Sequence, residues 1–320
     1  MNRVAVVLTA LWLTAFVSLT FGATPRYPSR FITFVVPGAP GSGTDIIGRA
    51  LVEAAQPFLP VRAVVMNKSG ASGTIGFADV VTAKPDGSTI GMFAVAMATV
   101  QPHLSKLPYN TPADYTPIMR VANLPIVMFV RSDAPWKTAR DALTYAQANP
   151  GRFRVGHGGV ATILHLNLEE LRILARIDMP IVSFGSPGQV AAVLGGHIEA
   201  GVSHPSLIVP HVEAGKLRVI GVFEPKRLSI FPDAPTFREL GYDVARGVFY
   251  FLIAPKNTPK TLVITLRDAF RKALDARSFV EMSKNQGFEI DFQDAGALTR
   301  ELWLLYDQYS RLVEYLGMKK

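Results

Sequence analysis

The sequence predicts an α/β protein of two units, each a mainly parallel sheet flanked by helices. Short apolar runs alternate with longer segments of helical spacing from Arg30 to Val222, the rhythm of strand, crossover helix, strand. At about 150 residues per domain, 320 residues make two domains rather than one. Apolar residues form 49% of the chain and charged residues 18%, which supplies two cores and rules out a disordered chain.

Phe31–Val36 (FITFVV) reads as a buried strand stopped by Pro37-Gly38. Thr44–Phe58 reads as a helix with Ile46, Ile47, Ala50, Leu51, Ala54 and Ala55 on its apolar face. Val61–Met66 is the second strand, and the Gly70-Ala71-Ser72-Gly73 turn leads to a helix over Thr74–Ala83. Pro85-Asp86-Gly87 ends that helix with turn chemistry, and Thr89–Val95 is the third strand. Right-handed crossovers between parallel strands follow from this order. The second unit runs strand Ile126–Val130, helix Thr138–Ala148, strand Phe153–Val155, helix 162–175 and strand Ile181–Phe184. It continues through helix 187–194, strand Ala200–Ser203, helix 205–213 and strand Leu217–Val222. Phe249–Ala254 is again a strand, Pro259–Arg277 a long helix and Gly296–Leu316 an amphipathic terminal helix. We therefore expect a discontinuous first domain, residues 24–125 with 248–320, around a second domain at 126–247.

The first residues carry an address. Arg3 precedes an apolar run from Val4, and small residues Gly22 and Ala23 follow, the layout of a secretory signal peptide over 1–23. Val4–Phe21 contains Thr9, Thr14, Ser18 and Thr20, so an uncleaved anchor is the weaker alternative. An exported chain in a bacterial periplasm is expected. The absence of cysteine excludes a disulfide scaffold, a thiol nucleophile and a thiolate-held metal. The net charge of +8 is scattered rather than gathered in a basic stripe, so no nucleic-acid partner is expected.

Two loops stand out. In Val35–Asp45 (VVPGAPGSGTD) a strand ends, Gly38, Gly41 and Gly43 follow, and Thr44 or Asp45 caps the next helix. Glycines let main chain approach a guest, and a helix start offers unpaired N–H donors with a positive dipole end. Open α/β sheets hold ligands at such strand ends. The plain alternative is a Gly-rich turn with Asp45 as cap. Val155–His165 (VGHGGVATILH) repeats the pattern, with Thr162 as donor or cap and His157 inside the loop. Two such loops on two units suit a clamshell that closes on an anion.

Catalytic readings fare worse. No Gly-x-Ser-x-Gly, His-Glu-x-x-His or Gly-Lys-Ser/Thr occurs, and Ile46 stands where a dinucleotide fingerprint requires its third glycine. His197, His204 and His211 recur every seven residues, but Pro205 and Pro210 interrupt the helix that would align them, so no metal is expected. A hydrolase or isomerase pairing His157 with Asp45 lacks any nucleophile–base motif. No cofactor is expected.

Seven segments in order resemble one family across nearly the whole mature chain: YPSRFITFVVPGAPGSGTD (27–45), VVMNKSGASGTIG (64–76), AKPDGSTIG (83–91), LPYNTPADYTPI (107–118), NPGRFRVG (149–156), LGGHIEAGV (194–202) and FPDAPTFRELGY (231–242). They look like the periplasmic solute-binding receptors of tripartite tricarboxylate transporters, the Bug receptors. The resemblance implies a two-domain Venus-flytrap fold with two crossover hinge strands. It implies a monomer that closes on a small organic carboxylate and delivers it to a two-component membrane permease. Carried over, the ligand loops are Gly38, Ala39, Pro40, Gly41, Ser42, Gly43, Thr44 and Asp45 in the first unit. In the second they are His157, Gly158, Gly159, Val160, Ala161 and Thr162, with His165 matching a common helix histidine. Ser42, Thr44 and Thr162 are the expected side-chain donors; Gly41, Gly43 and Gly158 are the expected main-chain donors. The chain departs from the family at Ala161-Thr162, where Gly-Ser is usual, and at Val182-Ser183-Phe184-Gly185-Ser186, where Val-Pro-Tyr-Lys-Gly is usual. Ser183 is the expected contact from that segment. A sensor presenting its closed state to a membrane signalling partner is the alternative role.

Overall fold

The computed structural model describes residues 31–184 and 187–319. The expected leader at 1–23 and the departures at Gly185 and Ser186 lie outside the described residues. β1 (Phe31–Val36), α1 (Gly43–Ala55), β2 (Arg62–Asn67), α2 (Thr74–Val81) and β3 (Thr89–Ala94) follow the expected order, and the short helices α3 (Val95–Thr99) and α4 (Gln101–Leu104) come next. β4 (Tyr115–Leu124) crosses to β5 (Val127–Arg131), and α5 (Ala139–Ala148), β6 (Val155–His157), α6 (Ile163–Ala175) and β7 (Ile181–Ser183) continue the second unit. It closes with α7 (Gly188–Leu194), β8 (Ala200–Ser203), α8 (Pro205–Glu213) and β9 (Leu217–Val222). β10 (Val248–Pro255), α9 (Lys260–Leu274), α10 (Arg277–Gln286), β11 (Glu289–Asp294) and α11 (Ala295–Tyr315) finish the chain.

The strands form two sheets, one in the order β11-β4-β10-β3-β1-β2 and one in the order β7-β6-β8-β5-β9. β1 pairs parallel with β2 and β3, and β6 pairs parallel with β7 and β8. The expected mainly parallel sheets are mixed instead. β10 is antiparallel to β3 and β4, β11 to β4, and β5 to β8 and β9. The cause is the double crossing. β4 leaves the first sheet where β10 returns, and β5 enters the second where β9 leaves, so outgoing and incoming strands lie side by side in opposite senses.

Two strands escaped the sequence reading. β4 carries Pro117, which removes a ladder donor. The fold accommodates it where β11 has already ended, since β11 pairs only with Met119–Asn123, and where a register shift between Leu252 and Ile253 loosens the β10 side. β11 (EIDFQD) is a polar edge strand without a buried residue. The single helix expected over Pro259–Arg277 ends at Leu274, because Ala276 turns extended at ψ 132° and starts α10. α8 spans the expected 205–213, with Pro205 at its first position and Pro210 inside it.

Helix α1 shows how the first core is built. Ile47, Leu51, Val52, Ala54 and Ala55 are buried, whereas Ile46, expected on that face, is 37% exposed. Gly48 lets the helix lie directly on β1, since a Cβ there would meet the Val36 side chain at 2.7 Å. The core then continues across the crossing: Ile126, Met128 and Val130 pack in one cluster with Val95, Val100 and Phe251.

At the crossing itself, Glu224 is 6% exposed and accepts from Asn123 Nδ2 at 3.1 Å and from the Ile126 amide at 3.2 Å. One carboxyl therefore ties the outgoing connection to the returning one. Gly247 is glycine because a Cβ there would sit 2.5 Å from Glu224 and 2.6 Å from Asn123. Burial pushes the Glu224 carboxyl up to about 7, against the lowering effect of the Asn123 and Ile126 hydrogen bonds. Its contribution to stability is thus complete below the ordinary value of 4.5 and is lost as pH rises through about 7. In urea unfolding, wild type is expected to lose about 2 kcal/mol relative to Glu224→Gln between pH 5 and pH 8. Parallel pH profiles would remove this account of Glu224.

Candidate functional site

Both expected loops form at the carboxyl ends of strands, β1 and β6, and each runs into a capped helix. In the first, Ser42 rather than Thr44 or Asp45 is the N-cap: its backbone is extended and its Oγ accepts from the Asp45 amide at 3.3 Å. Gly38 leaves room for that hydroxyl, which a Cβ would strike. Ala39 is exposed, and its carbonyl accepts from the Ser42 amide at 3.0 Å. Asp45 is buried and faces inward. Its carboxylate accepts from the Gly41 amide at 2.8 Å, Asn67 Nδ2 at 2.8 Å and Arg49 Nε at 3.0 Å. Burial alone would raise its pKa, but the bonds from Arg49, Gly41 and Asn67 outweigh it and hold the carboxyl below its usual value.

Asp45 and the Gly41 N–H are therefore engaged in the loop's own shape. Asn67 also donates to the Gly38 carbonyl at 2.9 Å, so the end of β2 fastens both sides of the loop. Thr44 Oγ1 lies 3.0 Å from the Tyr250 hydroxyl on β10. What remains open is the helix start: the amides of Gly43 and Thr44 have no hydrogen-bond partner among the described residues.

The second loop is fastened differently. Thr162 is the N-cap of α6, accepting from the His165 amide at 3.3 Å and donating its own proton to the Gly159 carbonyl at 2.8 Å. Its hydroxyl proton is thus engaged within the loop. His157 is 1% exposed and accepts the Gly159 amide at Nδ1, 3.1 Å. His165 accepts the Ala161 amide at Nδ1, 3.3 Å, and the two rings stack with centroids 4.7 Å apart. Burial first, and the neighbouring His165 second, lower His157 to about 4, so its ring is neutral at neutral pH. Glu169 stands 3.6 Å from His165 Nε2 and 2.6 Å from Arg172, whose guanidinium completes the row. Gly158 keeps an amide without a partner among the described residues. Ser183 is exposed at the end of β7, in register with His157.

Each loop gathers its own predicted residues, and no hydrogen bond joins the first loop to the second among the described residues. The residues missed were those that support the loops. Asn67 had a faint signal as the polar end of an apolar run, and Arg49 and Glu169 stand four residues beyond Asp45 and His165. Tyr250 had none, being one phenol in an aromatic strand.

This arrangement, two α/β lobes joined by paired crossings with an amide-bearing loop at a strand end of each, defines a two-domain solute-binding fold. The description "Tripartite tricarboxylate transporter family receptor" matches residues 47–317, and the chain belongs to that family. Protein BugT of Bordetella pertussis is 29% identical over 293 residues, covering 90% of this chain and 89% of that one. Among solved structures, a TctC solute-binding protein from Polaromonas superposes with a TM-score of 0.81 at 32% identity, covering 90% of this chain and 99% of that one. MatC from Rhodopseudomonas palustris with bound malate superposes at 0.73 with 25% identity, covering 90% and 100%. Family and fold are those of periplasmic solute-binding receptors rather than of enzymes.

The Asp45 tether has a measurable weight. Asp45→Ala strands the Gly41 amide and the Arg49 guanidinium, and about 1–3 kcal/mol of stability should go with it in urea unfolding. A variant as stable as wild type would show that the carboxylate does not hold the loop.

Proposed function

We propose that the chain is an exported receptor that closes on a small organic acid and hands it to a two-component permease of the tripartite type. In this reading it works in the periplasm as a monomer, and its lobes divide at residues 24–125 with 248–320 against 126–247. The observation that carries the proposal is the pair of loops whose polar side chains are turned inward while the amides of Gly43, Thr44 and Gly158 stay unclaimed among the described residues. Fixed N–H groups at a helix start, next to its positive dipole end, suit a carboxylate without requiring a charged side chain. The relative with malate bound supports the same class of ligand.

Closure follows from population shift. A guest that meets donors from both lobes gains those contacts only in the closed form, and its binding energy draws the hinge shut. A micromolar ligand requires about −8 kcal/mol, within reach of a few charge-assisted hydrogen bonds and the release of water.

Gly43 allows a direct test, because it is the first residue of α1, where proline is tolerated. Ser42 before it is already extended, at φ −69° and ψ 160°, as a residue preceding proline must be, and a Cβ at Gly43 meets nothing within 4 Å. Gly43→Pro should therefore fold normally while losing one donor. Calorimetric titration with malate and a panel of related di- and tricarboxylates should show affinity falling about tenfold or more. If wild type binds no member of the panel, the carboxylate reading is wrong.

A further inference from the structure

Paired histidines hold the second loop through an unusual use of the imidazole ring. A main-chain N–H can only donate, so His157 Nδ1 opposite the Gly159 amide and His165 Nδ1 opposite the Ala161 amide must both be bare acceptors. With Nδ1 bare, the ring proton of each histidine sits on Nε2. For His165 this proton faces the Glu169 carboxylate, itself gripped by Arg172. For His157 the Nε2–H has no partner among the described residues. Ala161, midway along the chain between the two histidines, sits in the left-handed region at φ 57°, a conformation that costs a residue with a Cβ about 1 kcal/mol and persists only where its surroundings impose it.

We propose that His157 and His165 are positioning residues that fix the second ligand loop by accepting its amides at Nδ1, in the Nε2–H tautomer, and that a proton arriving at Nδ1 releases the loop. Fixing Gly159 and Ala161 leaves Gly158 as the loop's offered amide. The inference rests on the carboxylate-receptor reading for what the loop binds, but not for how the loop is held. Among the described residues, the ionisable groups that act on His157 are His165 and Glu169, both on α6, and Arg172 pairs with Glu169. Burial and the adjacent His165 keep His157 free of a proton down to about pH 4, so its hold on the Gly159 amide is intact at neutral pH.

Long-range nitrogen–proton NMR on the ligand-free protein reads the tautomers directly. Both rings should carry their proton on Nε2 at pH 7, and the Gly159 and Ala161 amides should exchange slowly. Gly159 exchange should accelerate only as pH falls toward 4, after allowance for the intrinsic rate. His157→Asn, whose side-chain oxygen can take the place of Nδ1, should keep slow exchange at Gly159 and malate affinity within about threefold of wild type. His157→Leu should lose both, with affinity down about tenfold. A proton on Nδ1 of either ring at pH 7 overturns the proposal, as does a folded Leu variant with unchanged Gly159 exchange and affinity. If His157→Leu does not fold, the wild-type tautomers and the acid onset of Gly159 exchange decide the matter. If the tautomers hold but no carboxylate binds, the receptor reading falls and the clamp stands.

Discussion

A loop can offer its N–H groups to a guest only if something else holds the loop still, and here buried acceptors do so. Asp45 satisfies Gly41, Asn67 and Arg49 in the first loop, while His157 and His165 satisfy Gly159 and Ala161 in the second. An ionised carboxylate serves one lobe and imidazole nitrogens serve the other. The difference suits a site for anions. Asp45 is already paired with Arg49 and lies below the surface, and an imidazole carries no negative charge in either protonation state. Both solutions leave main-chain amides without a partner among the described residues, at the start of α1 and at Gly158 before α6.

Much of this was legible in the residues. Strand, glycine loop and helix start are written plainly in VVPGAPGSGTD and VGHGGVATILH, because main chain that must turn sharply admits few residue types. Which polar atoms face outward was not legible. Ser42, Thr44, Asp45 and Thr162 all look like donors in sequence, yet Asp45 and Thr162 are committed to the loop, Ser42 caps the helix, and Thr44 meets a tyrosine two hundred residues away. The partners that decide the matter, Asn67 and Tyr250, lie on other strands, and their contacts exist only once the sheet has assembled.

The sheets carry a similar lesson. Alternating strands and helices foretell parallel pairing inside each unit, and β1, β2, β3 and β6, β7, β8 obey it. The antiparallel half follows from chain topology instead: a chain that leaves a lobe and returns to it must run in both directions at the doorway. Propensity also misled where packing overruled it, as at Pro117 inside β4 and at the polar strand β11.

The position of β10 has a consequence for how the protein comes into being. It lies between β3 and β4, so the middle of the first sheet is supplied by residues that follow the entire second unit. A nascent chain emerging from its N-terminus can complete the second unit's five-stranded sheet, whose strands are contiguous in sequence, while the first waits with the facing sides of β3 and β4 unpaired. The lobe built around residue 31 is thus the last to close. Until residue 248 arrives, it has a vacant central row, a natural landing place for a chaperone or for another chain's strand.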